Sequence, residues 1–503
     1  MINDDVMSII IKFNRRIEMR YVSKRICGIF MRYTNVIYKN YSENKMHMIP
    51  ISVSRIYVTN LFVMNLCMVS GLHNITHITF GSFFNADVIV YPKSLKYLRF
   101  GWGYNKEVNN LPDGLTHLIF GHDFNKDINI LPKSLKYLKF GWSFNKDVSN
   151  LPDGITHLIF GNNFNHIVDK LPKSLKVLKF GEEFNQNIDN LPNGLISIQF
   201  SDMFNKSVDK LPLSLEKIRF GHMFNTDINK LPLNLKHVTL GVSFCKQINN
   251  LPNNLTRLDM STCWSYNGPI DNLPIHLTHL ILGTTFNNFV DKLPPNLRFI
   301  KFGDEFNHPV DNLPKMLNCI YFGDMFNHPI DKLPNKVKKI VFGNNFNRNV
   351  DNLPDSIVYL SFGHCLDQRI KKLPNNLRYL YFSDFFNSCI DSYPESLKCL
   401  SFGNCFDKDV NNLPSKLTVL GFGWNFDRSI DNLPSSIKEL KLGHWFNKKI
   451  NKLPKNIKKL TVSWSFKCTN MCVYDIRFDN VPEETHHAFM INYLRPYFDI
   501  HFI

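Results

Sequence analysis

A twenty-residue repeat constrains this chain more than any other feature of its sequence. Residues 131–150 read LPKSLKYLKFGWSFNKDVSN, and residues 151–170 read LPDGITHLIFGNNFNHIVDK. Related units recur every twenty residues to 251 and, after one 22-residue unit at 251–272, from 273 onwards. With a weaker unit that begins at residue 49, about 21 units occupy residues 49–466. Because such units add to an array by stacking, the repeat predicts a solenoid instead of several domains with separate cores.

The spacing within one unit predicts its secondary structure. With the Leu of LP as position 1, the unit reads L-P-x-x-L-x-x-L-x-F-G-x-x-F-N-x-x-I-D/N-x. Apolar positions 8 and 10 alternate with variable positions 7 and 9, which is typical of a short strand with one buried face. Twenty residues leave no room for a long helix, so we expect a parallel β-sheet on one face and irregular or 3₁₀ returns. Positions 1, 5, 8, 10, 14 and 18 are the expected core, here Leu131, Leu135, Leu138, Phe140, Phe144 and Val148.

An asparagine follows the second phenylalanine of most units. Fifteen of twenty units have Asn at position 15, three have Asp (367, 407 and 427), and two have Cys245 and Lys467. An amide at the same place in each coil can bond the backbone of the next coil, and Asp keeps the acceptor that this bond needs. We therefore expect a ladder of buried or half-buried amides. The general preference of Asn for turns is the alternative explanation.

Composition indicates a folded protein with a basic surface. The 503 residues include 43 phenylalanines, and the formal net charge is +16 at pH 7. A basic surface attracts nucleic acid, acidic proteins or anionic membrane. The basic residues form no long run, so composition bias and solubility explain the charge better than nucleic-acid binding. Eleven irregularly placed cysteines without a CxxC pair, and no apolar run of about 18 residues, favour the cytoplasm, with the nucleus as an alternative, and no membrane span.

The repeat resembles the FNIP repeat family, a relative of leucine-rich repeats that is common in amoebae and in the giant viruses that infect them. FNHPV at 306–310 and FNHPI at 326–330 are nearest to the motif of that family. The resemblance covers roughly residues 49–466 and implies a leucine-rich-repeat-like solenoid. The shortest bacterial leucine-rich repeats have a consensus Asn at position 13, where this chain has Ser143, Asn163, Glu183 or Met203.

Residues 1–48 precede the repeats and have a different pattern. Apolar residues between 6 and 13 have helical spacing after a candidate cap at Asn3 or Asp4, which predicts a small α-helical segment. The segment resembles an F-box, although Asn3 stands where that family has Pro and the spacer before Val22 is shorter. This resemblance implies docking on the Skp-type adaptor of a cullin–RING ubiquitin ligase. A helical cap on the first coil is the alternative. The adaptor-binding residues would be Asp5, Val6, Ile9, Ile10, Phe13, Val22 and Ile26.

The sequence contains no motif of an enzyme or a metal site. A glycine-rich phosphate loop, GxSxG and HExxH are all absent. Residues 467–503 lack the LP frame and are expected to form a C-terminal cap. Their Cys468, Cys472 and the pair His486 and His487 lack zinc-finger spacing. We therefore expect no catalytic residue, no metal and no cofactor.

The candidate binding residues lie at positions that vary between units. Positions 7 and 9 should point away from the core, and position 12 follows the end of the strand. Tyr, Trp and Arg at exposed places often anchor protein interfaces, although exposed sheet residues also pack against neighbouring strands. Histidines at position 7 recur in every second coil, so about 9.5 Å separates them and one zinc ion cannot join them. The candidate partner-binding face consists of Tyr97, Arg99, Trp102, His117, Tyr137, Lys139, Trp142, His157, Tyr321, Tyr359, Tyr379, Tyr381 and Trp424.

These observations lead to one main hypothesis and two alternatives. The chain is expected to be a non-enzymatic protein-interaction solenoid, the substrate-recognition subunit of an SCF-type ubiquitin ligase. It would bind an unknown protein target through the exposed sheet face and the Skp-type adaptor through residues 1–48. The first alternative is a scaffold or host-interaction protein with no ligase link, and the second, less favoured, is a nucleic-acid-binding protein. No small-molecule substrate and no membrane partner are expected.

Overall fold

Each described repeat forms one coil of parallel β-structure. The structure, a computed structural model, describes residues 54–58, 74–128 and 130–462, and the backbone of three further strands. The chain divides into two compact units, Met1–His166 and Ile167–Ile503. No α-helix occurs in either unit within these described residues. The predicted α-helical segment and the C-terminal cap fall almost entirely outside them.

The first unit is a sheet of parallel strands, most of them in a register of twenty residues. The sheet runs through β1, β2, β4, β6, β7, β8 and β9, and β3 pairs separately with β5. Strand β1 lies before residue 49, where the repeats are first recognisable in the sequence. The strands are β1 Val36–Tyr38, β2 Arg55–Val58, β3 Met64–Asn65, β4 His77–Phe80, β5 Val88–Val90, β6 Tyr97–Arg99, β7 His117–Ile119, β8 Tyr137–Lys139 and β9 His157–Ile159.

The second unit continues the same construction, and each of its strands pairs in parallel with the next strand along the chain. Its strands are β10 Val177–Lys179, β11 Ser197–Gln199, β12 Lys217–Arg219, β13 His237–Thr239, β14 Arg257–Asp259, β15 His279–Ile281, β16 Phe299–Lys301, β17 Cys319–Tyr321, β18 Lys339–Val341, β19 Tyr359–Ser361, β20 Tyr379–Tyr381, β21 Cys399–Ser401, β22 Val419–Gly421, β23 Glu439–Lys441, β24 Lys459–Val462 and β25 His501–Phe502.

Hydrogen bonds between coils continue beyond the three-residue strands. The backbone N–H groups of Thr116 and His117 both donate to the carbonyl oxygen of Lys96, at 2.9 Å. On the return, the N–H of Ser143 donates to the carbonyl oxygen of His122 at 2.8 Å. The returns consist of turns joined by extended backbone. A coil therefore satisfies through its neighbours many backbone groups that have no partner within the coil.

The core contains the residues that the repeat predicts. In the coil 131–150, Leu138 and Phe144 are fully buried, and the first leucine, Leu131, is only half-buried. The rings of Phe140 and Phe144 stack at 3.7 Å, and Phe144 stacks on Phe124 of the preceding coil at 6.1 Å. Two columns of phenyl rings thus run through the first unit. In the second unit they are interrupted by aliphatic residues such as Leu240, Met260 and Leu366. Burial of one such ring contributes roughly 1.5–3 kcal/mol.

The 22-residue unit keeps this core by placing its two additional residues in the return. Strand β14 pairs with β15 in a register of 22 residues, with Arg257 opposite His279. Tyr266 takes the place of the second phenylalanine, since it is 2% exposed and its ring lies 6.3 Å from that of Phe244. Its hydroxyl donates to the carbonyl oxygen of Pro269 at 2.8 Å. The insertion therefore lies before the aromatic residue, as the sequence predicts.

The asparagine ladder is present, although its amides are less buried than the sequence analysis expected. The side-chain oxygen Oδ1 of Asn125 accepts the backbone N–H of Asn145, twenty residues later, at 3.0 Å. Asp367 substitutes for Asn without loss, because its carboxylate accepts the N–H of Asn387 at 2.9 Å. Cys245 has no side-chain oxygen, and the ladder begins again at Asn267. The position-15 side chains are half-buried or exposed, because they lie on the solvent side of the phenylalanine column.

Glycine at position 11 is favoured by the close approach of neighbouring coils. A Cβ atom on Gly423 would lie 2.1 Å from the carbonyl oxygen of Gly403, and one on Gly141 would lie 1.7 Å from that of Gly121. Backbone atoms cannot rotate away as a side chain can. Ser201 occupies the same position in another coil, where its buried hydroxyl donates to the carbonyl oxygen of Phe184. Ser383 is at position 11 as well, so a small side chain is accommodated where the neighbouring coils are adjusted to it.

We expect Gly423→Ala to lower the free energy of unfolding by about 1–3 kcal/mol, because its methyl group overlaps a backbone carbonyl. Gly421→Ala, two residues earlier, is the matched control. Its Cβ would have as its nearest neighbour the rotatable Oγ of Ser401, at 3.2 Å, so an effect within about 0.5 kcal/mol is expected. Urea unfolding followed by circular dichroism measures both, and equal effects would show that coil stacking does not require this glycine.

Candidate functional site

The exposed side chains of each strand flank one buried residue. In β8, Leu138 is fully buried, Tyr137 is half-buried and Lys139 is exposed. The same alternation occurs along β6, where Tyr97 and Arg99 flank Leu98. Positions 7 and 9 therefore point outward, as the sequence predicts. Neighbouring coils bring residues of the same position next to one another.

In the first unit, position 7 forms a column of alternating imidazole and phenol rings. The ring centroids are 5.3 Å apart for the first pair and 5.6–6.1 Å apart for the other three. This spacing follows from the separation of about 4.8 Å between neighbouring strands. The column joins four residues of the predicted face to His77, which is one of the outward-pointing position-7 histidines but not a member of that face. We call it the His–Tyr column, and its members are His77, Tyr97, His117, Tyr137 and His157.

A threonine before each histidine determines which imidazole nitrogen carries the proton. The Oγ1 of Thr116 donates to the carbonyl oxygen of Lys96 at 2.9 Å and lies 2.9 Å from Nδ1 of His117. Since the hydroxyl has a single proton, Nδ1 of His117 must be the donor and Nε2 remains an acceptor. Thr156 holds His157 in the same way. In its neutral form such an imidazole presents Nε2 as an acceptor, beside the phenol hydroxyls of the column.

The environment of the column favours neutral imidazole. Burial lowers the pKa of His77, and the positive charge of Arg55 lowers it further. Burial also lowers the pKa of His117, which has a second histidine, His157, two coils away. Because both pKa values lie below 6.5, these two rings are mostly uncharged at pH 7. The phenol of Tyr137 is also uncharged, because burial raises its pKa.

Two tryptophans form a second aromatic group beside the strand ends of the first unit. The indole rings of Trp102 and Trp142 lie on either side of the His122 imidazole, at centroid distances of 4.6 and 5.6 Å. Their exposed fractions are 60% and 45%. The Nδ1 atom of His122 lies 2.5 Å from a carboxylate oxygen of Asp123. Large exposed indoles are characteristic of surfaces that bind proteins.

In the second unit, the predicted tyrosines gather around a lysine that the sequence analysis did not select. The Nζ atom of Lys339 lies 5.1 Å from the ring centroid of Tyr321 and 4.4 Å from that of Tyr359. The ring of Tyr359 lies 5.4 Å from Tyr381 and 6.3 Å from Tyr379. We call these five residues the tyrosine cluster. Trp424 is 60% exposed and packs at 5.9 Å from the ring of His444 instead.

Other kinds of site find no support in the described part of the chain. It contains no group of three or more His, Cys, Asp or Glu side chains suited to hold a metal ion. No helix there is long and apolar enough to cross a membrane. The predicted adaptor-binding residues lie outside the described residues: Asp5, Val6, Ile9, Ile10, Phe13, Val22 and Ile26.

The sequence analysis did not predict the contact between threonine and histidine in the His–Tyr column, although the sequence contains a signal for it. The dipeptide Thr-His recurs at residues 76, 116, 156 and 278, and in each case the threonine hydroxyl contacts Nδ1 of the following histidine. A polar pair that recurs at one strand position indicates a local hydrogen bond as well as an exposed ring. The lysine of the tyrosine cluster has no such signal, because its aromatic neighbours come from two other coils.

Comparison with known proteins agrees with this description. The chain matches the family described as FNIP Repeat over more than half of its length, at residues 104–143, 127–150, 144–183, 184–223, 288–325, 326–365, 367–405 and 409–445. No curated protein matches its sequence. Among solved structures it is similar to CroV588, described as a circular leucine-rich-repeat protein. The two share 31% identity with a TM-score of 0.55, over 88% of this chain and 87% of that one.

A second solved structure with similarity is YopM from Yersinia enterocolitica WA-314. The identity is 19% and the TM-score 0.45, over 78% of this chain and 87% of that chain.

Acidification is expected to destabilise the fold through the His–Tyr column. The unfolded chain binds protons on His77 and His117 more readily than the folded chain. The stability from neutral imidazole is therefore present above pH 6.5 and lost as the pH falls through the lower folded-state pKa values. Thermal unfolding midpoints between neutral pH and about pH 5 should decrease less in His77→Phe/His117→Phe than in the wild type. Tyr137→Phe, which removes no group that titrates in this range, should keep the wild-type decrease. An identical decrease in all three proteins would contradict the assignment.

Proposed function

Because the chain belongs to the FNIP repeat family, we propose that it is a protein-interaction scaffold that binds a target through the exposed side chains of its strands and carries out no catalysis. The observation that supports this most is the division between its two kinds of position. The constant residues of the repeat are buried or bond neighbouring coils, whereas the aromatic residues at positions 7 and 12 vary and reach solvent.

The exposed aromatic residues of the first unit have the properties of interface anchors. Trp102 and Trp142 are large, exposed and held in place by His122 between them. Tyr137 is fixed between two rings of the His–Tyr column, so little conformational entropy is lost when a partner covers it. Rigid aromatic side chains of this kind provide much of the binding energy in protein interfaces.

We expect the triple variant Trp102→Ser/Tyr137→Ser/Trp142→Ser to lose the target of the full-length chain. Truncation of a single interface anchor often costs about 2 kcal/mol, which is roughly a thirtyfold change in affinity. The matched control is Ile130→Ser/Ile167→Ser/Phe289→Ser, which removes three apolar residues of the returns that are 67%, 64% and 59% exposed. Proteins captured by each variant from cells that naturally make the chain are compared by quantitative mass spectrometry. Equal capture of the target by both variants would exclude a binding site that includes Trp102, Tyr137 and Trp142.

We also propose that the chain delivers this target to a ubiquitin ligase as a substrate-recognition subunit. This finer proposal rests on the sequence of residues 1–48 alone, where Val6, Ile9 and Val22 follow the F-box pattern. The alternative is a scaffold with no ligase link.

The full-length chain is expected to bind a purified Skp-type adaptor, and Val6→Asp/Ile9→Asp should abolish this binding by placing charges in an apolar contact. The aromatic triple variant serves as the control, because it should lose the target and retain the adaptor. Isothermal titration calorimetry measures binding of the purified adaptor to the wild-type chain and to each of the two variants. If the wild-type chain does not bind the adaptor, the scaffold alternative stands and the ligase proposal is wrong.

A further inference from the structure

Charges on the returns of the second unit neutralise one another between coils. Lys210 pairs with Asp189 at 2.8 Å, and Lys332 pairs with Asp311 at 2.8 Å. In each pair the lysine at position 20 reaches the aspartate at position 19 of the preceding coil, 21 residues earlier. Arg428 and Lys448 likewise pair with aspartates of the preceding coil. The returns therefore need no external partner for these cations.

The strand side of three consecutive coils lacks this neutralisation. The segments 293–302, 313–322 and 333–342 contain six basic residues and no acidic residue. The returns that follow, 303–312, 323–332 and 343–352, contain six acidic and two basic residues. None of the six strand-side cations forms an ion pair within the described part of the chain. Five are exposed and one, Lys339, is half-buried. The six are Arg298, Lys301, Lys315, Lys336, Lys338 and Lys339.

The unpaired cations belong to three adjacent coils, and one of them, Lys339, is part of the tyrosine cluster. Strands β16, β17 and β18 are consecutive neighbours in the sheet. Arg298 and Lys338 occupy position 6 of the first and third of these coils, about 9.5 Å apart, with Asn318 between them. The six cations give this surface a local excess of positive charge, which attracts an anionic partner.

The arrangement of the aromatic rings distinguishes between two kinds of anionic partner. The ammonium group of Lys339 lies over the rings of both Tyr321 and Tyr359. Phe299 contacts Tyr321 at 5.4 Å on one side and His279 at 5.7 Å on the other. Single-stranded nucleic acids bind by stacking bases on free aromatic faces, and here the ammonium group of Lys339 occupies one face of Tyr321 and one face of Tyr359. Less aromatic surface is therefore left for bases, which favours a polypeptide.

We propose that the strand side of β16–β18, with the tyrosine cluster beside it, docks an acidic segment of a partner polypeptide. Carboxylates of that segment pair with Arg298, Lys301 and Lys338, and the hydroxyls of the tyrosine cluster donate hydrogen bonds to it. The inference rests on the proposed function, because it assigns the chemistry of the target at one part of the strand side. Opposite charge at such a surface increases the rate of association as well as the specificity.

The experiment measures binding of fluorescein-labelled oligoglutamate to the full-length chain at low salt by fluorescence anisotropy. Arg298→Glu/Lys301→Glu/Lys338→Glu should weaken this binding about tenfold or more. Lys246→Glu/Lys372→Glu/Lys449→Glu changes the net charge equally, but at exposed positions of the returns in the same unit. This control should retain affinity within about twofold. Circular dichroism verifies that both variants are folded.

Two results would overturn the proposal. Equal weakening by both triple variants would show that oligoglutamate responds only to net charge. Tighter binding of oligothymidylate of the same charge, lost in the strand-side variant, would identify a nucleic-acid surface. Either result leaves the proposed function intact if the variant at Trp102, Tyr137 and Trp142 still loses its protein target. If the aromatic variant retains its target, the proposed function itself is wrong.

Discussion

In-register stacking of parallel coils is the constraint on which the rest of this structure depends. Each residue lies beside the residue twenty positions earlier and twenty positions later, about 4.8 Å away. A residue type that the repeat specifies at one position therefore recurs in a row of neighbouring side chains. Phenylalanine gains from this, because its ring stacks on an identical ring. Asparagine gains as well, because its side chain bonds the backbone of its own counterpart. Glycine is favoured at position 11, because the coils approach so closely there.

The same constraint is unfavourable for charged residues, and the chain avoids the cost in two ways. On the returns, lysine and aspartate occupy adjacent positions, so that lysines such as Lys210 and Lys332 meet the aspartate of the preceding coil. On the strand side of the first unit, basic coils alternate with uncharged ones at position 9. Arg99 and Lys139 are separated by Ile119, which places the two cations about 9.5 Å apart. The alternation of tyrosine and histidine at position 7 follows the same forty-residue period.

The sequence predicts the fold well because, in a stacked array, the spacing of residues within one repeat determines which side chains are buried in every coil. The period of twenty, the alternation at positions 7–10 and the buried phenylalanines all follow from the spacing of apolar residues. The place of the 22-residue insertion follows too, since Tyr266 must fill the gap in the phenylalanine column. The exposure of the ladder amides does not follow, because hydrogen bonding and depth are separate properties of a side chain. The contact of Lys339 with two tyrosine rings is equally invisible, since it depends on side-chain conformations across three coils.

The coils of β16–β18 avoid only part of the cost of stacking like charges. At position 6, Asn318 separates Arg298 from Lys338, just as Ile119 separates the cations of the first unit. Their strand side nevertheless carries six cations and no acidic residue, so the ion pairs of the returns have no counterpart there. A repeat array gives every coil the same opportunity to place an aspartate opposite a lysine, and these three coils do not use it. The positive charge that remains becomes favourable free energy once carboxylates of a partner occupy the surface.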